Sequence, residues 1–270
     1  MSVIGVLHPG AMGAAIGREL RDAGHEVLWA SESRSPETAD RAAAAGLRDA
    51  GSVVDLARAS DLVLSVCPPH AAAGVAAQVA GHARRFVDAN AISPATAREV
   101  AETVGAHAID GGIVGPPPRD GAVTSLLLSG TGADEVAALF AGTRVRARVV
   151  GVEIGAASAA KMAYAGWTKG SAALLLAVRA LARAEGVEEA LLAEWAITHP
   201  YLPEASERAA RGAAGKSWRW IGEMEEIAAS MEAAGLPGGF HLAAAAIYER
   251  LAAESEPDLS TALLALVQDA

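Results

Sequence analysis

The chain has 270 residues, a net charge of −10, 52% hydrophobic residues and one cysteine. This length allows one large domain or two ordinary ones. The negative charge argues against a nucleic-acid partner, because a phosphate backbone attracts a basic surface. The single cysteine excludes an internal disulfide and favours a reducing compartment. Because the first residues carry no basic region and no run of about 20 apolar residues occurs, we expect a cytoplasmic protein without a signal peptide or membrane partner.

A short apolar run, a glycine turn and a helix rich in small residues open the chain. Residues 3–7 are predicted to form a buried strand, Pro9 and Gly10 lie in the turn, and a helix begins at Ala11. This order is typical of the phosphate cradle of a dinucleotide-binding fold, where the N–H groups at the helix start favour an anion. Gly10 lets the backbone approach a pyrophosphate. The predicted cofactor contacts in this segment are Gly10, Ala11, Met12 and Gly13.

His8 stands where a Gly-x-Gly-x-x-Gly motif has its first glycine. A side chain at this position must either point outward or widen the turn around the pyrophosphate. We expect the imidazole to point outward, away from the cofactor.

The segment after the second predicted strand, residues 26–30, is where a dinucleotide-binding domain meets the adenosine ribose. An acidic residue there binds a free 2′-hydroxyl group, whereas an arginine with hydroxyl side chains accepts a 2′-phosphate. Glu32 is of the first kind, and Arg34 with its neighbouring serines is of the second. We favour NADP over NAD, with Ser31, Ser33 and Arg34 as ligands. A solvated loop is the alternative interpretation.

Strands and helices alternate to about residue 150, which predicts a parallel sheet covered by helices on both faces. The apolar strand 61–67 ends where a doubly wound sheet places its cofactor. Cys67, Pro68 and Pro69 are therefore predicted cofactor contacts, with Cys67 as a small buried residue rather than a reactive thiol.

The remainder of the chain contains no strand candidate and is predicted to be helical. A long helix runs from Gly155 to about Glu185, and later breaks are expected at residues 186, 200–203, 212–215, 235–239 and 257. The predicted fold is thus an α/β Rossmann-type doubly wound domain over 1–152, followed by an all-α substrate and dimerisation domain over 153–270. Lys161 lies amid alanines in the long helix. It is either a surface lysine or the charged group of a site, and the pattern alone leaves both interpretations open.

Most aromatic residues lie in the helical half. We favour core or dimer contacts for them, and the alternative is an apolar pocket for a bulky or aromatic substrate. Trp218, in the segment 215–220, and His241 are the candidates for substrate contacts.

Four motifs, in this order, resemble those of the β-hydroxyacid dehydrogenases, relatives of 6-phosphogluconate dehydrogenase and of imine reductases. The first is the glycine turn. Residues 88–94 stand in the place of the family's Asp-x-Ser-Thr-x-x-Pro substrate motif, and residues 110–115 resemble its Asp-Ala-Pro-Val-Ser-Gly-Gly loop. Residues 155–161 resemble the glycine-led helix that carries the catalytic lysine. The stretch that follows resembles a subgroup whose C-terminal domain is of unknown function.

The resemblance implies hydride transfer between a nicotinamide and a substrate carbon that bears OH, C=O or C=N. Lys161 would be the general acid for reduction and the general base for oxidation. Asn90 would orient the nicotinamide amide or a substrate oxygen, and Thr168 shares the helix face of the lysine. A homodimer through the helical domain is also implied, and no metal is expected. The predicted substrate contacts are Asn90, Ser93, Gly112, Gly115 and Thr168, and Asn90 is counted among the cofactor contacts as well.

The chain departs from the family pattern in the groups that recognise a carboxylate. Asn90 and Ala91 replace a serine and a threonine, Val114 replaces a serine, and Ala165 stands where the family has an asparagine. The leading hypothesis is an NADP-dependent oxidoreductase acting on a small hydroxy acid or ketone. The alternatives are an imine reductase-like enzyme and a dinucleotide-binding protein without catalysis, and the presence of Lys161 weighs against both.

Overall fold

The computed structural model describes residues 1–252 and 258–267. The chain divides into two compact units, Met1–Met162 and Ala163–Ala270. The division falls inside a long helix, and the predicted domain boundary after residue 152 remains a prediction. The predicted break at Pro257 lies outside the described residues.

The first unit alternates strands and helices. Its strands are β1 (Val3–Leu7), β2 (Glu26–Trp29), β3 (Arg48–Asp49), β4 (Leu62–Ser65), β5 (Phe86–Asp88), β6 (Ala108–Val114), β7 (Thr124–Ser129) and β8 (Val145–Gly151). Its helices are α1 (Ala11–Asp22), α2 (Pro36–Ala44), α3 (Val53–Ala59), a 3₁₀ turn (Pro69–Ala71), α4 (Ala72–Val79), α5 (Pro94–Val104), α6 (Ala133–Leu139) and the first part of α7 (Ala156–Ala184).

Local sequence signals account for several of the helix ends. Ser35, Ser52 and Ser93 are the N-caps of α2, α3 and α5, and each side chain accepts a hydrogen bond from a backbone N–H in the first turn. Such caps satisfy one of the N–H groups that a helix leaves unpaired at its start. At the other end of α1, Gly24 adopts a φ of 92°, the left-handed conformation that closes many helices.

The eight strands form one sheet in the order β3-β2-β1-β4-β5-β6-β7-β8. All neighbouring pairs are parallel except β6 and β7, which are antiparallel. The sequence pattern predicts a parallel sheet throughout, and it is wrong at this pair. The reason is that residues 115–123, which join the two strands, contain no helix and are shorter than the crossover of about a dozen residues that a parallel pair needs.

The sheet is buried on both faces. Ile4 and Val6 of β1 belong to one apolar cluster, together with Ile16 and Leu20 of α1. Leu7 belongs to a second cluster, together with residues of α3, α4 and α5. Because successive strand residues point to opposite faces, these two clusters lie on the two sides of the sheet. The prediction of a doubly wound α/β domain is confirmed.

The second unit is helical. It holds the remainder of α7, followed by α8 (Glu188–Thr198), α9 (Leu202–Ala213), α10 (Ser217–Ala233), α11 (Gly239–Leu251) and α12 (Leu259–Val267). None of the helices in the described residues combines the length and the apolar character needed to cross a membrane. Within the same ranges, no group of three or more His, Cys, Asp or Glu side chains is arranged to hold a metal ion.

Candidate active site

The loops that carry the predicted cofactor contacts follow four neighbouring strands, β2, β1, β4 and β5. These strands are parallel, so their carboxyl ends lie along one edge of the sheet. The chain order reverses between β1 and β4, and open α/β sheets bind ligands at such a reversal. The structure therefore gathers these loops at one edge. They are residues 8–13, 31–34, 67–69 and 89–93.

The two glycines of the first turn have different roles. Gly10 is the N-cap of α1, and no side chain of the described residues caps this helix. A Cβ on Gly13 would lie 2.7 Å from the His8 carbonyl oxygen, so this glycine allows the helix to approach the turn closely. The first helical turn also carries no acidic residue. Its N–H groups and positive dipole end can therefore serve an anion.

Arg41 of α2 also holds this turn, although the sequence analysis did not single it out. Its Nε donates to the Pro9 carbonyl oxygen at 3.3 Å, and its Nη2 donates to the Thr38 hydroxyl at 2.9 Å. A guanidinium in this position adds positive charge beside the predicted pyrophosphate site. In the sequence, Arg41 is recognisable only as an arginine in the helix that follows the ribose loop. This position does not by itself indicate contact with Pro9.

His8 contradicts the expectation of an outward imidazole. Its Nδ1 is buried and has no hydrogen-bond partner among residues 1–252 and 258–267. Burial, with a contribution from the positive charge of Arg34, lowers the pKa of His8 to about 4. The backbone has a φ of 65°, a conformation that glycine adopts more readily. The imidazole is therefore neutral at pH 7, and the residue is half-buried, with its Nδ1 shielded from solvent.

Ser31, Ser33 and Arg34 lie between β2 and α2, as the sequence predicts. The Ser31 backbone N–H donates to the Asp49 carboxylate at 3.2 Å. Burial lowers the pKa of Arg34, while Cys67 and Glu32 raise it. The Arg34 guanidinium is thus within electrostatic reach of His8 and Cys67, on the loops after β1 and β4. Binding of a 2′-phosphate by this loop remains a prediction.

Asn90 ties the loops after β4 and β5 together. Its side-chain oxygen accepts a hydrogen bond from the Cys67 backbone N–H at 2.5 Å. Its side-chain nitrogen donates to the Asp88 carboxylate at 2.9 Å and to the Ser65 hydroxyl at 3.2 Å. The amide is therefore engaged by the protein itself. This geometry fits a residue that positions the loop of Cys67, and direct contact with cofactor or substrate remains a prediction.

Two titratable groups of this network have shifted pKa values. Burial raises the pKa of Asp88 to about 7; hydrogen bonds from Asn90 partly oppose this, and Asp110 adds to it. Burial also raises the pKa of the Cys67 thiol to about 11. Cys67 is half-buried and its thiol is protonated at pH 7, which does not suit a nucleophile.

Lys161 lies in the second turn of α7, directly above Gly112 of β6. A Cβ on Gly112 would be 2.7 Å from the Lys161 Cβ and 3.1 Å from the Ala157 carbonyl oxygen. Only glycine leaves room for this approach. Gly112 thus allows α7 to pack closely against β6 at Lys161. The lining of a substrate pocket by Gly112 remains a prediction.

Asp110, which the sequence pattern indicates only as part of a motif, fixes the start of α7. Its buried Oδ2 accepts hydrogen bonds from the backbone N–H groups of Gly155 and Ser158 at 2.9 and 3.0 Å, and Oδ1 accepts one from the Ser158 hydroxyl at 2.6 Å. Ser129 donates to the same carboxylate at 2.9 Å and accepts from the Ala157 N–H at 3.0 Å. A carboxylate at a helix N-terminus is electrostatically favourable, so this cluster holds the helix that carries Lys161.

The other predicted substrate contacts of the first unit have clear structural roles. Ser93 caps α5 and accepts from the Thr96 backbone N–H at 3.1 Å. Gly115 ends β6 with a φ of 104°, and a Cβ there would meet the Val123 carbonyl oxygen at 2.3 Å. Contact of Ser93 and Gly115 with substrate remains a prediction.

Three predicted substrate contacts lie in the second unit. His241 is buried, and its Nε2 lies 3.3 Å from the Gly166 carbonyl oxygen. Trp218 is exposed, with the Arg219 guanidinium 5.4 Å from its ring centroid. Thr168 is exposed and donates to the Tyr164 carbonyl oxygen at 3.1 Å. Their proposed contact with substrate stays a prediction.

The aromatic residues of the second unit divide between core and cavity. Tyr248 is fully buried and meets Trp220 edge to face, with ring centroids 5.0 Å apart. Trp220 also lines a cavity of about 500 Å³ together with Trp167 and Tyr201. Core packing is therefore found for Tyr248, and a substrate pocket lined by the other aromatic residues remains a prediction.

The fold and the site define a dinucleotide-binding α/β protein with a helical C-terminal unit. Residues 3–92 match the family described as NADP oxidoreductase, coenzyme F420-dependent, which agrees with the predicted cofactor. Residues 182–251 match a domain of unknown function, DUF1932. In its two family matches and its fold, the chain resembles the β-hydroxyacid dehydrogenases and 6-phosphogluconate dehydrogenase-like proteins, and the C-terminal match is to a domain of unknown function, as in the predicted subgroup. The resemblance predicted from the motifs is confirmed.

Individual proteins of known sequence or structure agree with this placement. The chain is 30% identical over 169 residues to an uncharacterised 28.5 kDa protein of Methanothermus fervidus, a match that spans 62% of this chain and 66% of that protein. It is 27% identical to a conserved protein of unknown function described as similar in structure to 3-hydroxyacid dehydrogenases, with a TM-score of 0.71 and coverage of 98% and 100%. A 3-hydroxyisobutyrate dehydrogenase of Mycobacterium tuberculosis, 23% identical, shares the fold with a TM-score of 0.74 and coverage of 99% and 100%.

Proposed function

We propose that this protein is an NADP-dependent oxidoreductase that transfers a hydride between the nicotinamide and a small hydroxy acid or ketone, with Lys161 as the general acid or base. The observation that carries the proposal is the position of Lys161 above Gly112. This lysine belongs to the same compact unit as the glycine turn and the ribose loop. The Asp110 cluster holds its helix in place.

The residues at the sheet edge fit a dinucleotide phosphate. The start of α1 is uncapped by any described side chain and free of acidic residues in its first turn. Arg41 adds a cation at the same turn, and Arg34 lies on the loop that would meet the adenosine ribose. An acidic protein can hold an anionic cofactor in this way, because the favourable charges are local. The match of residues 3–92 to an NADP oxidoreductase family supports NADP as the cofactor.

Lys161 would handle the proton of the reaction. The nicotinamide, when bound, exchanges a hydride with the substrate carbon. In the reducing direction, the Lys161 ammonium donates a proton to the substrate oxygen; in the oxidising direction, the neutral amine accepts the hydroxyl proton. Asn90 would hold the loop of Cys67 in place beside the cofactor through its bond to the Cys67 N–H. Asp110 would keep Lys161 at a fixed distance from β6.

The substrate class follows from what surrounds the lysine. The family positions that recognise a carboxylate carry Asn90, Ala91 and Val114 here, so the site offers fewer hydroxyl donors to an anionic group. A neutral ketone or alcohol, or a hydroxy acid bound through its hydroxyl, suits such a site better than a substrate held mainly by its carboxylate.

The proposal is tested by mixing the full chain with NADPH and a panel of ketones, 3-oxo acids and imines, while NADPH absorbance is recorded. The reverse reaction uses NADP⁺ with the matching alcohols and hydroxy acids. We expect turnover with at least one ketone or hydroxy compound. Turnover with imines alone would point to the imine reductase alternative. Tight NADPH binding without turnover on any member of the panel would favour a protein that binds the dinucleotide without catalysis.

We also propose that the protein is a homodimer formed through its helical unit. Trp167, Ile197 and Tyr201 are 76%, 79% and 61% exposed in the single chain, and no residue of α8 is buried. Large exposed apolar groups of this kind are typical of protein interfaces. Light scattering after size exclusion tests the proposal: we expect the mass of two chains, and an Ile197→Asp variant should shift it toward one. A wild-type mass of one chain would contradict it.

A cytoplasmic location remains a prediction from the single cysteine.

A further inference from the structure

His8 occupies a strained backbone position in the glycine turn. Its φ of 65° lies in the left-handed region, which is unfavourable for a residue with a Cβ. In the described part of the chain, Ser33 is the one other non-glycine residue with a positive φ. Both stand on the loops that would meet the dinucleotide. Strain of this kind is characteristic of positions that clamp a ligand.

The His8 side chain adds a second unfavourable feature. Its Nδ1 is buried without a hydrogen-bond partner in residues 1–252 and 258–267. A buried polar atom without a partner is destabilising. Because the pKa of His8 is lowered to about 4 by burial and by Arg34, the ring is neutral at pH 7. A neutral imidazole can carry its proton on Nδ1 and donate it to an acceptor.

The surroundings of His8 favour an anionic acceptor. The His8 carbonyl oxygen accepts the Gly10 N–H at 2.7 Å, so the residue is part of the turn that begins α1. The positive end of α1 lies at this turn, and the Arg34 guanidinium is near enough to lower the pKa of His8; both attract negative charge. A phosphate oxygen placed there would accept the Nδ1 proton and would offset the charge of Arg34.

We propose that the Nδ1–H of His8 donates a hydrogen bond to a phosphate oxygen of the bound dinucleotide. His8 is then a cofactor-binding residue in place of the usual glycine. Its side chain donates a hydrogen bond, whereas a glycine at this position only leaves room for the phosphate. This inference rests on the proposed dinucleotide-binding function. Two groups of the cofactor could supply this phosphate oxygen: the pyrophosphate and the 2′-phosphate on the adenosine ribose.

Three substitutions isolate the side chain from the backbone. Glycine and asparagine both tolerate a positive φ, so His8→Gly and His8→Asn should keep the turn. His8→Gly removes the donor, whereas His8→Asn supplies an amide N–H in a similar position. His8→Asp has the size of asparagine but offers only a negatively charged acceptor. Thermal unfolding without cofactor checks that each variant folds.

Dissociation constants for NADPH and NADH, measured by calorimetry on the full chain, test the proposal. We expect His8→Gly to weaken NADPH binding about tenfold, the loss of one hydrogen bond to a charged group. His8→Asn should stay within about threefold of the wild type, and His8→Asp should bind more weakly than His8→Gly. An equal loss for NADPH and NADH assigns the contact to the pyrophosphate, and a loss confined to NADPH assigns it to the 2′-phosphate.

The opposite result is equally clear. If His8→Gly binds NADPH as tightly as the wild type, or more tightly, the imidazole contributes nothing or crowds the cofactor, and the inference is overturned while the proposed function stands. If the folded wild-type protein binds neither NADPH nor NADH, the proposed function itself fails, and the role of His8 fails with it.

Discussion

Lys161 and Gly112 are packed so closely that a Cβ on the glycine would lie 2.7 Å from the Cβ of the lysine. This contact joins the helix that carries the proposed catalytic group to β6 of the sheet. The Asp110 carboxylate, two residues earlier on the same strand, receives the first N–H groups of that helix. The position of Lys161 is therefore set twice by β6, once by a hydrogen-bond cluster and once by the absence of a side chain.

The Gly112→Ala variant tests the steric part of this arrangement. The added methyl group must push α7 away from β6, because the atoms it meets belong to the Ala157 backbone and the first carbon of Lys161. We expect a loss of about 1–3 kcal/mol in the free energy of unfolding, as for overpacking in general. The turnover rate should fall while the dissociation constant for NADPH changes little.

Gly74→Ala is the matched control for this substitution. Gly74 lies in α4, and a Cβ there would meet nothing within 4 Å. Alanine should be neutral or slightly stabilising at such a helical position. If Gly112→Ala is as stable and as active as Gly74→Ala, the close packing of Lys161 on β6 matters neither for stability nor for turnover, and the prediction is wrong.

The Asp110→Asn variant tests the hydrogen-bond cluster. An amide nitrogen in place of one carboxylate oxygen would face N–H and O–H donors, so several bonds are lost together. We expect the free energy of unfolding to fall by about 2–3 kcal/mol and the turnover rate to fall more than substrate affinity. Ser158→Ala, which removes one side-chain bond from the same carboxylate, should have a smaller effect of the same kind. Equal turnover in all three proteins would show that the cluster serves stability alone.

The raised pKa of Asp88 predicts that the stability of the fold depends on pH. Its pKa is about 7 in the folded protein, against an ordinary value of 3.8. The folded state thus holds this proton over a range in which the unfolded state has lost it. The resulting stabilisation is fully present below about pH 4 and is lost as the pH rises through 7. The free energy of unfolding in urea, measured at about pH 5 and about pH 8, should fall less over that interval in Asp88→Asn than in the wild type.

Glu102→Gln serves as the control for the pH experiment, since Glu102 is an exposed carboxylate in α5. This variant should reproduce the wild-type pH dependence. An Asp88→Asn variant with the same decline between the two pH values as the wild type would show that the burial of Asp88 does not govern its proton.

Arg34 predicts the choice of cofactor. Arg34 lies on the ribose loop, in the same short segment as Ser31 and Ser33. We expect Arg34→Gln to weaken NADPH binding by about tenfold or more, because a charged hydrogen-bond partner of the 2′-phosphate is lost. NADH, which lacks that phosphate, should bind almost unchanged. Arg18→Gln, an exposed arginine of α1, controls for the change in net charge. Equal loss for both cofactors would move Arg34 away from the 2′-phosphate.

The fold of the first unit was predictable because its signals are local. Ser35, Ser52 and Ser93 stand directly before their helices, and Gly24 stands where a left-handed residue ends α1. Short apolar strands alternate with these helices. The direction of β7 was not predictable from alternation, since it depends on the path of residues 115–123 rather than on the composition of the strand.

The contacts within the candidate site were less accessible from the sequence. Gly10 and Arg34 follow known spacings, but the bond from the Cys67 N–H to Asn90 joins residues 23 positions apart, and that from Ser158 to Asp110 spans 48. The periodicity of apolar residues does not indicate hydrogen bonds between residues so far apart in the chain. His8 was recognisable as an exception to the glycine motif, whereas the direction of its ring depends on burial by neighbouring loops, which appears only in three dimensions.

The role of Lys161 is the central claim, and the rate of hydride transfer in Lys161 variants tests it most directly. The measurement is the single-turnover rate of NADPH oxidation with the best ketone or 3-oxo acid found in the panel, for the wild type, Lys161→Ala and Lys161→Arg. Arginine keeps the positive charge but does not release a proton near neutral pH. We expect both variants to bind NADPH as the wild type does and to lose about a hundredfold or more in rate. A wild-type rate in folded Lys161→Ala would contradict the account.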